Sequence, residues 1–460
     1  MFFLAVTLTA CSSGGGGGGQ HPTPPVSPTI ITQPQTQSIN ACAITTFTVA
    51  AKATPSTDTL TYQWKVNKGP GFVNVTAGDG TGGSTPSFTT VIATPPKNGY
   101  LYQCVVTDPA NGLSTTTTSA TLTLLNGPLK VVGRFLQDAN CSNIMMRGVN
   151  VPVYQSGWAD DLNAVTTAVA TTKVNIVRLE WWANPPAGTI YTVANLDRAI
   201  QTFTNLGILP IVYLADLTYV YGQNDKTPPN NTGNDQVLFA STITAFWTRA
   251  DVLAVLKKHQ NHMIINIANE WGSSTYSDGT STAANFIQNY STAITAMRSA
   301  GINAPLMVDA PEGFEYQFIL DNGQAILNAD PQGNTMLSVH AYWAADYYTD
   351  AQVNTILNSI QNSGLPIVLG EVSSNAYTTI PCDPIDYANL LTTANTNQTG
   401  YLIWAWYQDG QCGQLMNITV NADGTTVPSA ANPGFGYDVL FGPGYGINTA
   451  LPATAMIAFH

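Results

Sequence analysis

Glutamate is scarce in this chain, and two of its glutamates stand where a carboxylate has work to do. Five glutamates, Glu180, Glu270, Glu312, Glu315 and Glu371, occur in 460 residues against 22 aspartates. Glu270 ends the apolar run "MIINIANEW", and Glu371 follows another in "LPIVLGEVS". A carboxyl group delivered by a buried segment must be partnered or kept neutral, because a lone buried carboxylate is costly. Two such groups can divide labour, one protonated as an acid and the other ionised as a nucleophile. Arg178, Asn269, His340, Tyr342, Trp404 and Trp406 also end or follow apolar runs. No Cys/His/Asp cluster has the spacing of a metal site, and no glycine-rich phosphate loop is present, so neither metal nor cofactor is expected.

The elements that would bring these residues together can be counted. Eight apolar runs alternate with helical stretches: "IMMRGVNVP", "VNIVRLEWW", "ILPIVYLAD", "MIINIANEW", "APLMVDAP", "MLSVHAYW", "LPIVLGEVS" and "GYLIWAWYQ". In the stretch "DAQVNTILNSIQNSG", Val353, Ile356, Leu357 and Ile360 recur at helical spacing, and Gly364 marks the end. Runs apolar throughout suit parallel strands covered on both faces. The pattern predicts an α/β (β/α)8 TIM barrel over residues 129–460, with the polar strand ends gathered on the rim where such barrels hold their sites. Two carboxylates facing each other across that rim, on the fourth and seventh strands, suit glycoside hydrolysis. Arg178 would keep Glu371 ionised, and Tyr342 would donate a hydrogen bond to it. Asn269 would hold a sugar hydroxyl, and Trp406 would offer a face to a pyranose ring.

The constellation resembles glycoside hydrolase family 5. "RGVN" at Arg147–Asn150 is similar to that family's first strand, "VRLEWW" to its arginine strand and "ANEW" to its Asn-Glu motif. "VHAYW" resembles its histidine-x-tyrosine strand, "LGEV" its nucleophile motif and "WAWY" its eighth strand. The resemblance implies Glu270 as acid/base and Glu371 as nucleophile, with Arg178, Asn269, His340, Tyr342 and Trp406 supporting them and Trp404 the second choice of platform. It implies a retaining, endo-acting hydrolase of β-1,4-linked polysaccharide, of mannan or cellulose type. One position departs: where the family carries a histidine near the end of the third strand, this chain has Ala215 beside Asp216. That departure keeps open a non-catalytic glycan-binding protein on the same barrel, and a transglycosylase has the same residues as a hydrolase. Asp216, Asp309 and Glu312 read as loop or cap residues. Glu180 contacts sugar or closes a salt bridge. Trp181, Trp182, Trp271 and Trp343 are platforms or packing in equal measure.

The N-terminal part reads differently. "MFFLAVTLTAC" resembles the tail of a bacterial lipoprotein signal, with Leu8–Cys11 as the lipobox, so residues 1–11 are expected to be a signal segment and Cys11 a lipid anchor. "SSGGGGGGQHPTPPVSPT", residues 12–29, is a flexible and extended linker. Residues 30–126 alternate in short β-patterned stretches. Cys42, Trp64, Tyr102 and Cys104 follow one another as in immunoglobulin-like β-sandwiches. That resemblance implies a Cys42–Cys104 bridge with Trp64 packed on it, leaving Cys141 as a buried thiol. Cys382 and Cys412 fall in loops near the chain's end that neighbouring positions would bring together. Charged residues make up 9% of the chain, and the net charge is -12. Soluble domains average about 25% charged residues. The low charge suits a protein exported to the bacterial cell envelope or outside it, and a monomer is expected. The negative sign argues against nucleic acid or an anionic membrane as partner and fits a neutral polysaccharide.

Overall fold

The computed structural model describes residues 24–39, 42–54, 57–124, 129–139, 141–152, 162–185, 189–218, 238–272, 283–376, 382–406, 412, 417–419 and 424–450. Cys11, the signal segment and most of the linker lie outside them. The chain divides into two compact units. One takes in Ala43–Ala93 and Lys97–Thr123; the other runs from Leu124 onward and also includes Cys42 and Thr94–Pro96.

The first unit is all-β among its described residues, apart from one turn of 3-10 helix. One sheet orders Gln37–Ile39, Ala120–Leu124, Leu101–Asp108, Thr61–Asn67 and Phe72–Asn74, with Leu113–Thr116 also paired to Leu101–Asp108. A second joins Thr46–Thr48, Ser87–Thr90 and Gly80–Thr81. Along Leu101–Asp108 every second residue is buried, the signature of a strand with one covered face. The core is aromatic. Tyr102 stacks on Phe47 at 4.6 Å, and Trp64 packs against Phe88 at 6.1 Å while its Nε1 donates to the Thr85 carbonyl at 2.9 Å.

The expected Cys42–Cys104 bridge does not form. Cys42 lies in a turn with φ +65°, before the strand Thr46–Thr48, and so is not on an inward strand face. It is bonded instead to Cys141, with the Cα atoms 5.6 Å apart. Cys104, and not Cys141, is the buried thiol. It pairs across the ladder with Trp64, and burial pushes its pKa up to about 11. Cys382 and Cys412 are bonded, as their loop positions suggested.

The second unit holds a closed barrel of eight parallel strands in sequence order. They are β1 (Arg147–Val151), β2 (Ile176–Trp181), β3 (Leu209–Leu214), β4 (Ile264–Asn266), β5 (Leu306–Asp309), β6 (Thr335–His340), β7 (Ile367–Val372) and β8 (Gly400–Ile403). Outside them run α1 (Leu162–Ala170), α2 (Val193–Asn205), α3 (Ala250–His259), α4 (Ala283–Ser299), α5 (Tyr316–Leu327), α6 (Asp350–Asn362), α7 (Tyr387–Thr396) and α8 (Phe435–Phe441). In α6 a Thr349/Gln352 capping box opens the helix, and Val353, Ile356, Leu357 and Ile360 are its buried stripe.

The two-residue period of each strand sorts its side chains. Val177, Leu179, Val212, Leu214, Val308, Leu337 and Val339 join the core shared with the helices. Ile176, Leu209, Ile264, Met307, Met336, Val368 and Leu402 point the other way and close the barrel's lower end with Leu129, Val131, Leu136 and Ile144. On the second, fourth, fifth and sixth strands the next residues along the same inner face are polar: Arg178, Asn266, Asp309, Ser338 and His340. The barrel therefore grades from an apolar floor to a charged rim. At β7 the register with β6 slips, so that Val339 pairs with Leu369 but His340 with Glu371. The extra residue is Gly370. Without this bulge Glu371 would face the helices; with it, Glu371 shares the inner face of His340. A Cβ on Gly370 would lie 2.2 Å from Ser338 Oγ and 3.0 Å from His340 Nε2, so a larger residue there must push those side chains aside.

Candidate active site

Arg178 organises the rim. It has no exposed surface, and each of its five N–H groups finds an acceptor. Nε donates to Asn266 Oδ1 at 2.9 Å; Nη1 donates to Asn150 Oδ1 at 3.0 Å and Glu371 Oε1 at 2.7 Å; Nη2 donates to Asn269 Oδ1 at 2.6 Å and Asp309 Oδ2 at 2.9 Å. Its guanidinium also lies 3.8 Å from the centre of the Tyr213 ring. Burial alone would lower its pKa, but Asp309 and Glu371 reverse that and raise it, so it stays charged.

The two carboxylates both approach Nδ1 of His340. Glu371 accepts from Arg178 on Oε1 and from the Tyr342 hydroxyl on Oε2, the latter at 2.6 Å. Burial raises its pKa above the ordinary carboxylate value, with Glu270 adding to the rise and His340, Arg178 and Tyr342 acting against it. Glu270 has its backbone at φ +47°, an uncommon conformation for a residue with a side chain. Its Oε1 is 2.6 Å from His340 Nδ1, and its backbone N–H reaches Asp309 Oδ2 at 3.4 Å. His340 Nδ1 is also 3.5 Å from Glu371 Oε2. Burial disfavours the charged imidazole, but Glu371, Asp309 and Glu270 together raise its pKa above the usual histidine value.

One atom each from Glu270, His340 and Glu371 lie within 4.8 Å of one another. Three such donors could ligate a metal ion, but Arg178 already places a positive charge 2.7 Å from Glu371 and opposes a second cation. The hydrogen bonding is asymmetric in a way that suits proton chemistry. Glu371 has a donor on each oxygen, which favours its ionised form. Glu270 shares one oxygen with a ring nitrogen that can hold or release a proton.

Of the residues singled out from sequence, Arg178, Asn269, Glu270, His340, Tyr342 and Glu371 converge. Trp406 does not serve as a platform: it is fully buried and its Nε1 donates to the Gly424 carbonyl at 2.9 Å. Trp404 is half-buried and directly follows the end of β8. Trp181, Trp271 and Trp343 are buried packing, Trp271 against Phe239, Phe286 and Tyr290. Glu180 accepts on Oε1 from Tyr191 at 2.5 Å and from Trp182 Nε1 at 3.0 Å, so that oxygen is not free for sugar, and among the described residues it makes no salt bridge. Asp216 caps a loop, taking the N–H groups of Ala183 and Asn184. Asp309 is no loop residue but a fully buried partner of Arg178. Asn150 and Asn266, not singled out from sequence, and Asp309, read there as a loop or cap residue, all contact Arg178; their signal was the polar side chain at alternate positions of an apolar run.

The profile of the cellulase family, glycosyl hydrolase family 5, matches residues 137–410. This chain belongs to glycosyl hydrolase family 5. It is 25% identical over 309 residues to a mannan endo-1,4-beta-mannosidase of Cellvibrio japonicus, covering 66% of this chain and 64% of that protein. It is 29% identical over 286 residues to the mannan endo-1,4-beta-mannosidase of Salipaludibacillus agaradhaerens, covering 60% of this chain and 80% of that one. The catalytic domain of a mannanase from Streptomyces sp. SirexAA-E superposes with a TM-score of 0.57 at 23% identity, over 72% of this chain and 95% of that domain. The superposition shows a common barrel fold.

Proposed function

We propose that this family 5 protein is a retaining endo-β-1,4-mannanase, with Glu270 as acid/base and Glu371 as nucleophile. The observation that carries the reading is the proximity of the two carboxylates across the barrel mouth, with donor atoms within 4.8 Å. Retaining glycosidases hold their carboxyl groups about 5–5.5 Å apart, whereas inverting ones need room for water, about 6.5–9.5 Å. In the first step protonated Glu270 gives its proton to the glycosidic oxygen as the bond to the anomeric carbon breaks. Glu371 attacks that carbon, aligned by Arg178 Nη1 and the Tyr342 hydroxyl. In the second step Glu270, now ionised, takes a proton from water, which displaces Glu371 and restores the original anomeric configuration. His340, 2.6 Å from Glu270, is placed to hold a shared proton between these steps.

Mannan is preferred over cellulose as substrate because the relatives described above are named for action on mannan. Hydrolysis of a panel of mannan, glucomannan and carboxymethylcellulose, followed by reducing-sugar release and by NMR of the first anomer, tests the reading. Release from mannan with retained configuration is expected; binding without release, or an inverted first product, would reject it. The N-terminal β-unit is read as an immunoglobulin-like spacer and Cys11 as the lipid anchor of an envelope protein. Palmitate labelling lost in Cys11→Ser checks the anchor, and label persisting in that variant would reject it.

A further inference from the structure

Asp309 has no part in the mechanism above, yet no carboxylate of the site is held more completely. It is the last residue of β5, has no exposed surface and cannot reach a substrate in the cleft. Its Oδ2 accepts from Arg178 Nη2 at 2.9 Å and from the Glu270 backbone N–H at 3.4 Å, and its Oδ1 accepts from Asn266 at 3.2 Å. His340 Nε2 stands 3.6 Å from Oδ2. Asp309 thus touches the guanidinium at the nitrogen that does not serve Glu371, and touches the backbone of the residue that carries the other carboxylate. One side chain braces both halves of the pair from below.

We propose that Asp309 is a positioning residue for the reaction assigned to this site: it fixes the rotation of Arg178 so that Nη1 faces Glu371, steadies the turn bearing Glu270, and sets the net charge of the cluster. This rests on the functional reading given above. The titratable and charged groups in contact with it are Arg178 on β2, Glu270 after β4 and His340 on β6, and through them it is linked to Tyr213 on β3, Tyr342 after β6 and Glu371 on β7. Among the described residues β1 contributes the neutral Asn150, and β8 leads into Trp404. These groups titrate as one coupled system. Replacing Asp309 with a neutral residue removes one negative charge from that system wherever the carboxyl is ionised. Both apparent pKa values of the bell-shaped profile must then fall, because each lost proton leaves from a more positive site.

The experiment compares full-length wild type, Asp309→Asn, Asp309→Ser and Asp309→Glu on soluble mannan across pH, with circular dichroism as the check of fold. In the two neutral variants both limbs of kcat/KM are expected to move to lower pH by about 1 unit. Their kcat at the optimum is expected to fall roughly tenfold to a hundredfold, as for a misplaced reacting group. KM should stay within about twofold, because no substrate contact is lost. Asp309→Glu keeps the charge, so its limbs should stay in place while kcat falls. Neutral variants that trace the wild-type bell would overturn the inference and leave the mannanase reading intact. A raised KM at unchanged kcat would overturn it in favour of ligand contact, and failure of both neutral variants to fold while Asp309→Glu folds would reduce Asp309 to a stability residue. If wild type hydrolyses no polysaccharide, the functional reading fails and the inference goes with it.

Discussion

Replacing Arg178 with lysine keeps the positive charge and removes the fork. The guanidinium supplies five N–H groups to five buried acceptors, on Asn266, Asn150, Glu371, Asn269 and Asp309. An ammonium has three. At least two acceptors must lose their donor, whatever rotamer the lysine adopts. A buried polar group left unsatisfied costs about 1–3 kcal/mol, which makes roughly 2–6 kcal/mol for the pair. That is a large part of the about 5–15 kcal/mol by which a domain is stable. The catalytic loss should be separate and at least as large, because Glu371 loses the fixed orientation of its Oε1. Removal of one preorganised donor at a reacting oxygen costs roughly a hundredfold to a thousandfold in rate. Arg178→Lys should therefore lower the denaturation midpoint of the barrel, followed by tryptophan fluorescence, and lower kcat far more than it raises KM. A variant within about 0.5 kcal/mol of wild type in stability and unchanged in kcat would refute the idea that this network holds the site.

Other consequences are as direct. Gly370→Ala puts a Cβ 2.2 Å from Ser338 Oγ and 3.0 Å from His340 Nε2. It should cost about 1–3 kcal/mol in stability and more in rate, since the bulge aims Glu371; an unchanged specific activity would contradict that. Burial raises the Glu371 pKa, and the nucleophile works only when ionised. The acid limb of kcat/KM should accordingly lie above about pH 4.3, where an ordinary glutamate would put it. Tyr342→Phe removes a hydrogen bond that favours the ionised form, so the limb should move further up, and a downward shift would count against the assignment. Trp404→Ala should raise KM for mannan oligosaccharides, whereas Trp406→Ala should lower stability by about 3–5 kcal/mol; the reverse pattern in binding and melting measurements would restore Trp406 as the platform.

What the sequence disclosed, and what it hid, follow the physics of the strands. The barrel was legible because eight apolar runs alternate with helical stretches, and Glu270, Arg178 and Glu371 were legible because each breaks or ends a run. Asn266 and Asp309 lie on the same inner face but were harder to see, since a single polar residue within an apolar run looks like noise unless the two-residue period is followed through. The inward aim of Glu371 depends on a one-residue slip between β6 and β7, whose only trace in the sequence is a glycine. Trp404 and Trp406 share a parity, so periodicity assigned both to the rim; but both lie beyond the end of β8, where the period no longer applies, and the Trp406 side chain packs into the core. Cys42 was assigned the wrong partner because the order of cysteines says nothing about the turns holding them, and Cys42 lies in a turn short of the strand.

The most direct test is to trap the nucleophile. Incubating the protein with an activated 2-deoxy-2-fluoro mannoside slows the second step and leaves the first product attached; peptide mass spectrometry then locates it. The account predicts one sugar bonded to Glu371, and no label in Glu371→Ala. Label on a different residue, or mannan hydrolysis by Glu371→Ala at the wild-type rate, would contradict it.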